Sequence, residues 1–281
     1  MISKRHITSL LSAGFGRWAS HPFPPSIQRT INRLYVRWMG LDMHAFAPAE
    51  SYPTLTALFT RALKIERYWD QRDDVIIAPC DGRISDAGYV HEGMAHQIKG
   101  MRYDTAALLG APHAHNLARL EAGPYLNLYL SPRDYHRYHA PIDLRIHSVT
   151  HIPGKLYPVN LPSLRRTPNL FIENERVVIE STDTNGHTHY LVLVGALNVG
   201  KIVLTFEPRL QTNTPSRERT HYRYDEPRLL KKGELFGWFE LGSTLVILSE
   251  KGAACYDVTI GQSVAFGQTI GYQRGDQNAR T

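Results

Sequence analysis

The sequence predicts an α+β protein that is mainly β, with N-terminal amphipathic helices followed by a β-rich body of the barrel or sandwich type with lipoyl-like hairpins. Three observations predict this class: a helical period near the N-terminus, short apolar runs after about residue 75, and a Gly-Gln turn that recurs near the C-terminus. With 281 residues the chain can bury a large core. We expect a helical segment over residues 1–70 and a β-rich domain over residues 71–281.

The N-terminal segment carries all of the excess positive charge. The formal net charge is +6, and the first 41 residues contain basic residues but no Asp or Glu, whereas the rest of the chain is balanced. Arg29, Arg33 and Arg37 form a stripe spaced by four residues on one side of a helical projection. The other side of the projection carries Ile27, Ile31, Leu34, Tyr35 and Trp38.

This pattern is typical of a basic amphipathic helix that lies in the interface of an anionic membrane. A helix that packs on its own core with solvated arginines would show the same period, but the lack of acidic residues favours the membrane. The stretch from Ile7 to Phe15 is interrupted by polar residues and predicts no signal peptide. The apolar stretch from Tyr190 to Phe206 is interrupted by Gly195 and Lys201, so we expect two buried strands and a turn there.

After the basic segment the sequence predicts one short helix and then a series of strands. A short helix is expected between Thr54 and Leu63, and strands are expected from Val75 onward. The strand-like runs are V-I-I-A-P, Y-L-N-L-Y-L, L-R-I-H-S-V-T-H-I, R-V-V-I-E, Y-L-V-L-V, K-I-V-L-T-F and S-T-L-V-I-L. Glu207 to Lys232 contains three prolines and many charges and predicts an extended loop. Val258 to Tyr272, with its repeated Gly-Gln, predicts the hairpins.

Three polar stretches carry the candidate chemistry. They are A-P-C-D-G-R-I with Asp81, Y-L-S-P-R-D-Y-H-R-Y-H-A-P with His136 and His139, and F-E-L-G-S-T-L-V-I-L with Gly242 and Ser243. Glycine is disfavoured inside a strand, so the Gly-Ser step is unusual. Taken singly, each residue has a structural explanation, such as a turn, a sheet edge or a bulge.

Other functions are compatible with the same residues. A metal site at His136 and His139 would need a second ligand pair or an H-E-x-x-H motif, and neither occurs, so no metal is predicted. A Ser-His-Asp hydrolase that acts on an external lipid ester stays open, although Ser243 lies outside any G-x-S-x-G motif. A membrane-binding module without catalysis also stays open.

Taken together, the motifs resemble the phosphatidylserine decarboxylase proenzyme family in its short, bacterial-type, membrane-associated form. The resemblance runs from about Tyr52 to the end of L-G-S-T-L-V-I-L. Five motifs occur in order: Y-P-T-L-T-A-L-F-T-R-A-L-K, P-C-D-G-R-I, Y-L-S-P-R-D-Y-H-R-Y-H-A-P, P-N-L-F-I-E-N-E-R-V and F-E-L-G-S-T.

The resemblance implies that the chain cleaves itself between Gly242 and Ser243. The hydroxyl of Ser243 would attack the carbonyl of Gly242, and elimination followed by loss of ammonia would turn Ser243 into a covalent pyruvoyl cofactor. His139 would be the base and Asp81 its orienting carboxylate. The products would be a large chain, residues 1–242, and a small chain, residues 243–281, that stay together.

The resemblance also implies the second reaction and its partners. The pyruvoyl group would form a Schiff base with the amine of phosphatidylserine, and His136 would protonate the carbanion left by CO2, which yields phosphatidylethanolamine. Arg29, Arg33, Arg37 and Trp38 would hold the enzyme on an anionic membrane as a peripheral protein, on the cytoplasmic face of the cell membrane. A homodimer is expected, and no nucleic-acid partner.

Overall fold

The computed structural model describes residues 14–98, 100–197, 201–214, 218–240 and 243–274. Residues 14–19 are helical, and the other helices are α1 (Pro25–Met39), α2 (Leu55–Phe59), α3 (Thr105–Leu109), α4 (Leu117–Leu120), α5 (Leu161–Arg166) and α6 (Leu170–Glu173). Single 3₁₀ helices occur at Ala49–Ser51 and Ala111–Asn116. Among these helices, none combines the length and the apolar content that crossing a bilayer requires.

Helix α1 buries a side that contains two polar residues and exposes a large part of its apolar stripe. Gln28, Asn32 and Tyr35 are the buried residues of this helix. Asn32 Nδ2 donates to the carbonyls of Ala49 and Tyr52, at 2.9 Å each. These bonds fix which side of the helix faces the protein, and they leave the apolar stripe of the predicted helix largely on the surface. The exposed apolar side chains of α1 are Ile27, Leu34 and Trp38, the last at 78%.

The body of the protein is built from antiparallel strands. The strands are β1 (Val75–Ile77), β2 (Gly82–Tyr89), β3 (Met94–Ile98), β4 (Met101–Asp104), β5 (Pro124–Leu130), β6 (Arg137–His139), β7 (Leu144–Ile152), β8 (Arg176–Thr182), β9 (Thr188–Gly195), β10 (Ile202–Leu204), β11 (Thr220–Leu230), β12 (Leu235–Phe239), β13 (Ser243–Ser249), β14 (Ala254–Tyr256), β15 (Ser263–Val264) and β16 (Thr269–Gln273). An 8-stranded sheet has the order β11-β7-β8-β9-β13-β5-β2-β15. Two 3-stranded sheets, β1-β16-β14 and β10-β12-β6, and the β3-β4 pair complete the body.

The large sheet is covered on both faces. Leu191 and Leu193 of β9 pack with residues of the two 3-stranded sheets. Val192 and Val194 pack on the opposite face with residues of α3, α5 and α6. Because successive side chains of a strand point to opposite faces, a strand buried on both sides must be apolar at almost every position. This explains the continuous apolar run at β9, where two buried strands and a turn were predicted. The predicted class, α+β and mainly β, is confirmed.

The C-terminal segment contains the predicted turns but distributes its strands over two sheets. Gly261 and Gly267, which precede the two glutamines, have φ values of 91° and 90°, a conformation that favours glycine. Strand β15 pairs with β2 in the large sheet, whereas β16 pairs with β1 and β14. The body is therefore a set of layered sheets, and the Gly-Gln turns connect the layers.

Two sequence-based boundaries were wrong. The segment from Glu207 to Lys232 was expected to be a loop, but β11 occupies Thr220–Leu230 at the edge of the large sheet. Its register shifts between Arg223 and Arg228, where Pro227 has no amide proton to donate. Helix α2 ends at Phe59, before the predicted end at Leu63. The next carbonyl, Thr60 O, instead accepts from Arg137 Nε at 2.9 Å.

Candidate active site

Ser243 is the first residue of β13, in the interior of the large sheet. It pairs with Leu130 of β5 on one side and with Gly195 of β9 on the other. The residue is fully buried, and its Oγ has no hydrogen-bond partner among the residues that the structure describes. A buried hydroxyl without a partner is costly, which is expected where function rather than stability selects the residue. Gly242, the other half of the predicted cleavage site, lies outside the described residues.

The two histidines lie where the chain crosses between two sheets. Strand β5 ends at Leu130, opposite Ser243, and the chain then runs to β6, which pairs with β12. The amide of Phe239, at the end of β12, donates to His136 O at 3.0 Å. The chain returns from Phe239 to Ser243 within four residues. Both crossings therefore connect the same two sheets, so the histidine segment and Ser243 lie on the same side of the protein body.

His139 uses both ring nitrogens. Its Nδ1 donates to Gly233 O at 2.8 Å, because a carbonyl can only accept, and its Nε2 then accepts from the Tyr135 hydroxyl at 2.9 Å. The ring of Phe266 stacks on the imidazole with 3.7 Å between centroids. Burial lowers the pKa of His139 to about 4, against a smaller opposing effect of the hydrogen bond to Gly233. At neutral pH His139 is therefore an uncharged base.

Gly233 is required for this contact. Its φ is 81°, and a Cβ built on it would lie 2.1 Å from Cζ2 of Trp69. Only glycine fits this conformation and this space. The turn that presents the carbonyl to His139 therefore depends on the absence of a side chain.

His136 is completely buried and has one ring nitrogen free of described partners. Its Nδ1 donates to Asp134 O at 2.9 Å, and Nε2 has no hydrogen-bond partner in the described part of the chain. The ring packs on Phe59 at 4.1 Å between centroids. Burial, followed by the positive charge of Arg61, lowers the pKa of His136 to about 3. His136 thus presents an available lone pair at neutral pH.

Asp81 does not hydrogen-bond directly to His139, contrary to the simplest form of the predicted triad. Arg67 donates to both oxygens of Asp81, with 3.0 Å between Nη2 and Oδ2. Oδ1 also accepts from the amide of Phe266 at 2.8 Å. Since the ring of Phe266 stacks on His139, Asp81 holds the residue that covers the imidazole. The roles assigned to Asp81, His136, His139 and Ser243 stay predictions.

Sequence reasoning missed several residues of this site. Tyr135 had a local signal, since it lies in the same motif as the histidines, four residues before His139. Arg67 and Phe266 had none, because they are far apart in sequence and meet only through Asp81. A cavity of about 480 Å³ opens beside His139 and includes Arg67, Tyr135, Arg137 and Phe266 in its wall.

A second, apolar groove lies between the N-terminal helices and the histidine segment. Its volume is about 580 Å³. It is lined by Phe15, Trp18, Ile31, Leu34, Tyr35, Trp38, Met39, Leu55, Pro132 and Leu197. Pro132 belongs to the segment that carries His136, and Leu197 follows the Gly195 that pairs with Ser243. The groove therefore extends from the exposed face of α1 to the segment that leads to His136 and to the residues after Gly195.

The family model and the similar proteins all point to the same family. The family model described as phosphatidylserine decarboxylase matches residues 55–272. A protein of Helicobacter pylori strain J99 is 43% identical over 265 residues, which cover 94% of this chain and 97% of that protein. A protein of Campylobacter jejuni is 40% identical over 261 residues, covering 91% and 96%. A protein of Myxococcus xanthus is 35% identical over 270 residues, covering 94% of each. All three are named phosphatidylserine decarboxylase proenzyme, and with matches of this extent the chain belongs to the phosphatidylserine decarboxylase family.

Proposed function

We propose that this chain is a proenzyme that cleaves itself between Gly242 and Ser243 and then decarboxylates phosphatidylserine to phosphatidylethanolamine and CO2. The observation that carries the proposal is the buried hydroxyl of Ser243, which has no partner among the described residues and lies opposite Leu130, the residue after which the chain runs into the histidine segment. The family supports decarboxylation in general terms. The self-cleavage and the roles below are the finer part of the proposal.

The first reaction uses groups of the chain itself and one water molecule. Ser243 Oγ attacks the carbonyl carbon of Gly242, a base takes the hydroxyl proton, and the amide nitrogen receives a proton as the C–N bond breaks. The peptide bond thereby becomes an ester. Removal of the α-proton of Ser243 then expels the Gly242 carboxylate from Cβ and leaves dehydroalanine. Tautomerisation and addition of one water release ammonia and leave a pyruvoyl group at position 243.

A serine hydroxyl is a weak nucleophile and needs a nearby base. Burial keeps both His139 and His136 uncharged at neutral pH, so each has a lone pair at Nε2. We assign the role of base to His139. Its Nε2 lone pair accepts a hydrogen bond from the Tyr135 hydroxyl until it takes the proton of Ser243. Asp81 acts as a positioning residue through Arg67 and Phe266.

The residues present fit a pyruvoyl group at position 243. Ser243 Oγ, which would leave with the Gly242 carboxylate, has no described partner to lose, and β5 and β9 hold the backbone of residue 243 on both sides. The pyruvoyl group would supply an electron sink for the electron pair that CO2 leaves behind. His136, with Nε2 free of described partners, returns a proton to the substrate carbon after it has gained one itself.

Mass spectrometry of the purified protein tests this proposal. We expect two fragments, residues 1–242 and residues 243–281, and a small fragment whose first residue has the mass of a pyruvoyl group in place of serine. The same preparation should release CO2 from phosphatidylserine labelled in the serine carboxyl group. An active preparation that contains only the intact chain would contradict the mechanism and would favour another use of Ser243.

We also propose that α1 binds the enzyme to the anionic membrane that contains its substrate. The apolar side chains Ile27, Leu34 and Trp38 are exposed, while Asn32 on the buried side of α1 is hydrogen-bonded to the protein. Arg29, Arg33 and Arg37 are exposed on the flank of this apolar stripe. An exposed apolar stripe beside cations matches the interface of an anionic bilayer, where apolar side chains enter the acyl boundary and arginines meet phosphates.

Replacing Arg29, Arg33 and Arg37 together with glutamate should weaken binding to vesicles that contain phosphatidylserine by at least about a hundredfold, because each basic residue near an anionic surface contributes about 1 kcal/mol. Vesicle co-sedimentation at low and high salt measures the effect. A matched control replaces the exposed Arg102, Arg165 and Arg166 with glutamate. Arg33 also loses an exposed ion pair with Glu50, so thermal unfolding of both variants is compared. Equal vesicle binding by the two variants would exclude this membrane role.

A further inference from the structure

Arg61 is a buried cation that forms no ion pair among the described residues, although the charges of Asp81 and Asp134 act on it from further away. It lies two residues after α2 and is 2% exposed. Its Nη2 donates to Arg133 O at 2.8 Å, and its Cζ lies 4.5 Å from the centre of the Phe46 ring. Nε and Nη1 have no hydrogen-bond partner among the residues that the structure describes. A buried guanidinium with unused donors is expensive, and an anion that joins it recovers the cost.

Two other unpartnered polar atoms belong to residues on which the charge of Arg61 acts. Tyr35 is buried and its hydroxyl has no described partner. Burial raises the pKa of Tyr35 to about 12, and the charge of Arg61 opposes this shift. The second atom is His136 Nε2, and the charge of Arg61 helps to lower the pKa of His136. The charge of Arg61 therefore acts on a tyrosine of the apolar groove and on a histidine of the candidate active site.

The groove residue Pro132, the carbonyl that holds Arg61, and His136 follow one another along the chain in the same order as the parts of a phospholipid. Pro132 and Tyr35 line the apolar groove, the carbonyl of the next residue, Arg133, holds Arg61, and His136 follows three residues later. A phospholipid presents acyl chains, then a phosphodiester, then its headgroup. The groove suits the acyl region, Arg61 suits the phosphodiester, and the histidine segment suits the amino acid headgroup.

We infer that Arg61 binds the phosphodiester of the phospholipid substrate and thereby sets the distance between the membrane-embedded part and the reacting carbon. This inference rests on the proposed function. The substrate carboxylate is the less suitable anion, because a guanidinium held on it would stabilise the charge that disappears as CO2 leaves and would oppose the reaction. The phosphodiester keeps its charge throughout, so binding it anchors substrate and product alike.

The test uses Arg61→Gln with Arg102→Gln as the control for an exposed arginine. Kinetics are measured in neutral detergent micelles with phosphatidylserine, and binding of dihexanoyl phosphatidylethanolamine, which has the phosphodiester but no carboxylate, is measured by calorimetry. We expect Arg61→Gln to raise KM and the Kd for the probe together, by roughly ten- to a hundredfold, the range for a charge-assisted hydrogen bond. The kcat should change much less, and Arg102→Gln should match the wild type.

Other outcomes overturn the inference. A raised KM with an unchanged Kd for the probe would assign Arg61 to the carboxylate, and unchanged values of both would remove it from substrate binding. Calorimetry is repeated in the Ser243→Ala background, where no chain is cleaved, so that a processing defect of Arg61→Gln does not prevent the comparison. Arg61→Lys, which keeps the charge, should show a smaller rise in the same direction. If the wild type itself neither cleaves nor releases CO2, the proposed function fails instead.

Discussion

Ser243→Ala is expected to leave a single uncleaved chain that releases no CO2 from phosphatidylserine. The substitution removes the only atom of residue 243 that can attack the Gly242 carbonyl, and no pyruvoyl group can then form. Stability should change little, because the lost hydroxyl has no hydrogen-bond partner in the described part of the structure. Denaturing electrophoresis, intact mass and thermal unfolding measure these effects.

Ser249→Ala is the matched control, since Ser249 is buried at the other end of the same strand. Its Oγ is within 2.9 Å of His189 Nδ1, so the control should lose about 1 kcal/mol of stability and still cleave. Ser243→Ala should thus lose cleavage and keep its stability, whereas Ser249→Ala should keep cleavage and lose stability. Cleavage of Ser243→Ala at the same bond would show that this hydroxyl is not the nucleophile.

The second large effect separates the two histidines. His139→Ala is expected to stay uncleaved, because the base for self-cleavage is lost. His136→Ala is expected to cleave at least in part but to decarboxylate poorly, with a loss of about a hundred- to ten-thousandfold per cleaved chain, the usual range for a proton-transfer group. Electrophoresis over time gives the cleaved fraction, and labelled CO2 release is divided by that fraction.

His189→Ala controls for the loss of a buried ring. His189 is 3% exposed and lies near Ser249 and Asp183, away from Ser243 along the same sheet. It should lower the thermal midpoint and leave cleavage intact. Normal cleavage by His139→Ala would refute its role as base, and a normal rate per cleaved chain in His136→Ala would refute its role as acid.

Much of the fold could be predicted from local patterns. The alternating and continuous apolar runs mark strands because burial on one or both faces of a sheet dictates them, as β9 and β13 show. Strand β11 was missed because an edge strand is largely exposed and tolerates charges and a proline, so its composition resembles that of a loop. The period of α1 predicted a helix, but the side it buries was set by Asn32 and its carbonyl partners, which no periodicity reveals.

The candidate site was predictable only where its residues share a motif. Asp81, His136, His139 and Ser243 could be proposed from the sequence because each belongs to a continuous motif, and their roles stay predictions. The link from Asp81 to His139 runs through Arg67 and Phe266, which are brought together by tertiary structure alone. Arg61 is recognisable only by its burial. The homodimer and the cytoplasmic membrane face stay predictions.

The place of β13 inside the large sheet determines how firmly the two chains of the cleaved protein would stay associated. Residues 243–281 supply β13 between β5 and β9, β15 to the edge of the same sheet, and β14 and β16 to a separate one. The small chain thus contributes strands at three places of the fold. Its dissociation would require the hydrogen bonds of β13 to both β5 and β9 to break. After cleavage the small chain would therefore dissociate slowly. Separated fragments would have to associate before they could fold, whereas the uncut chain folds as one molecule.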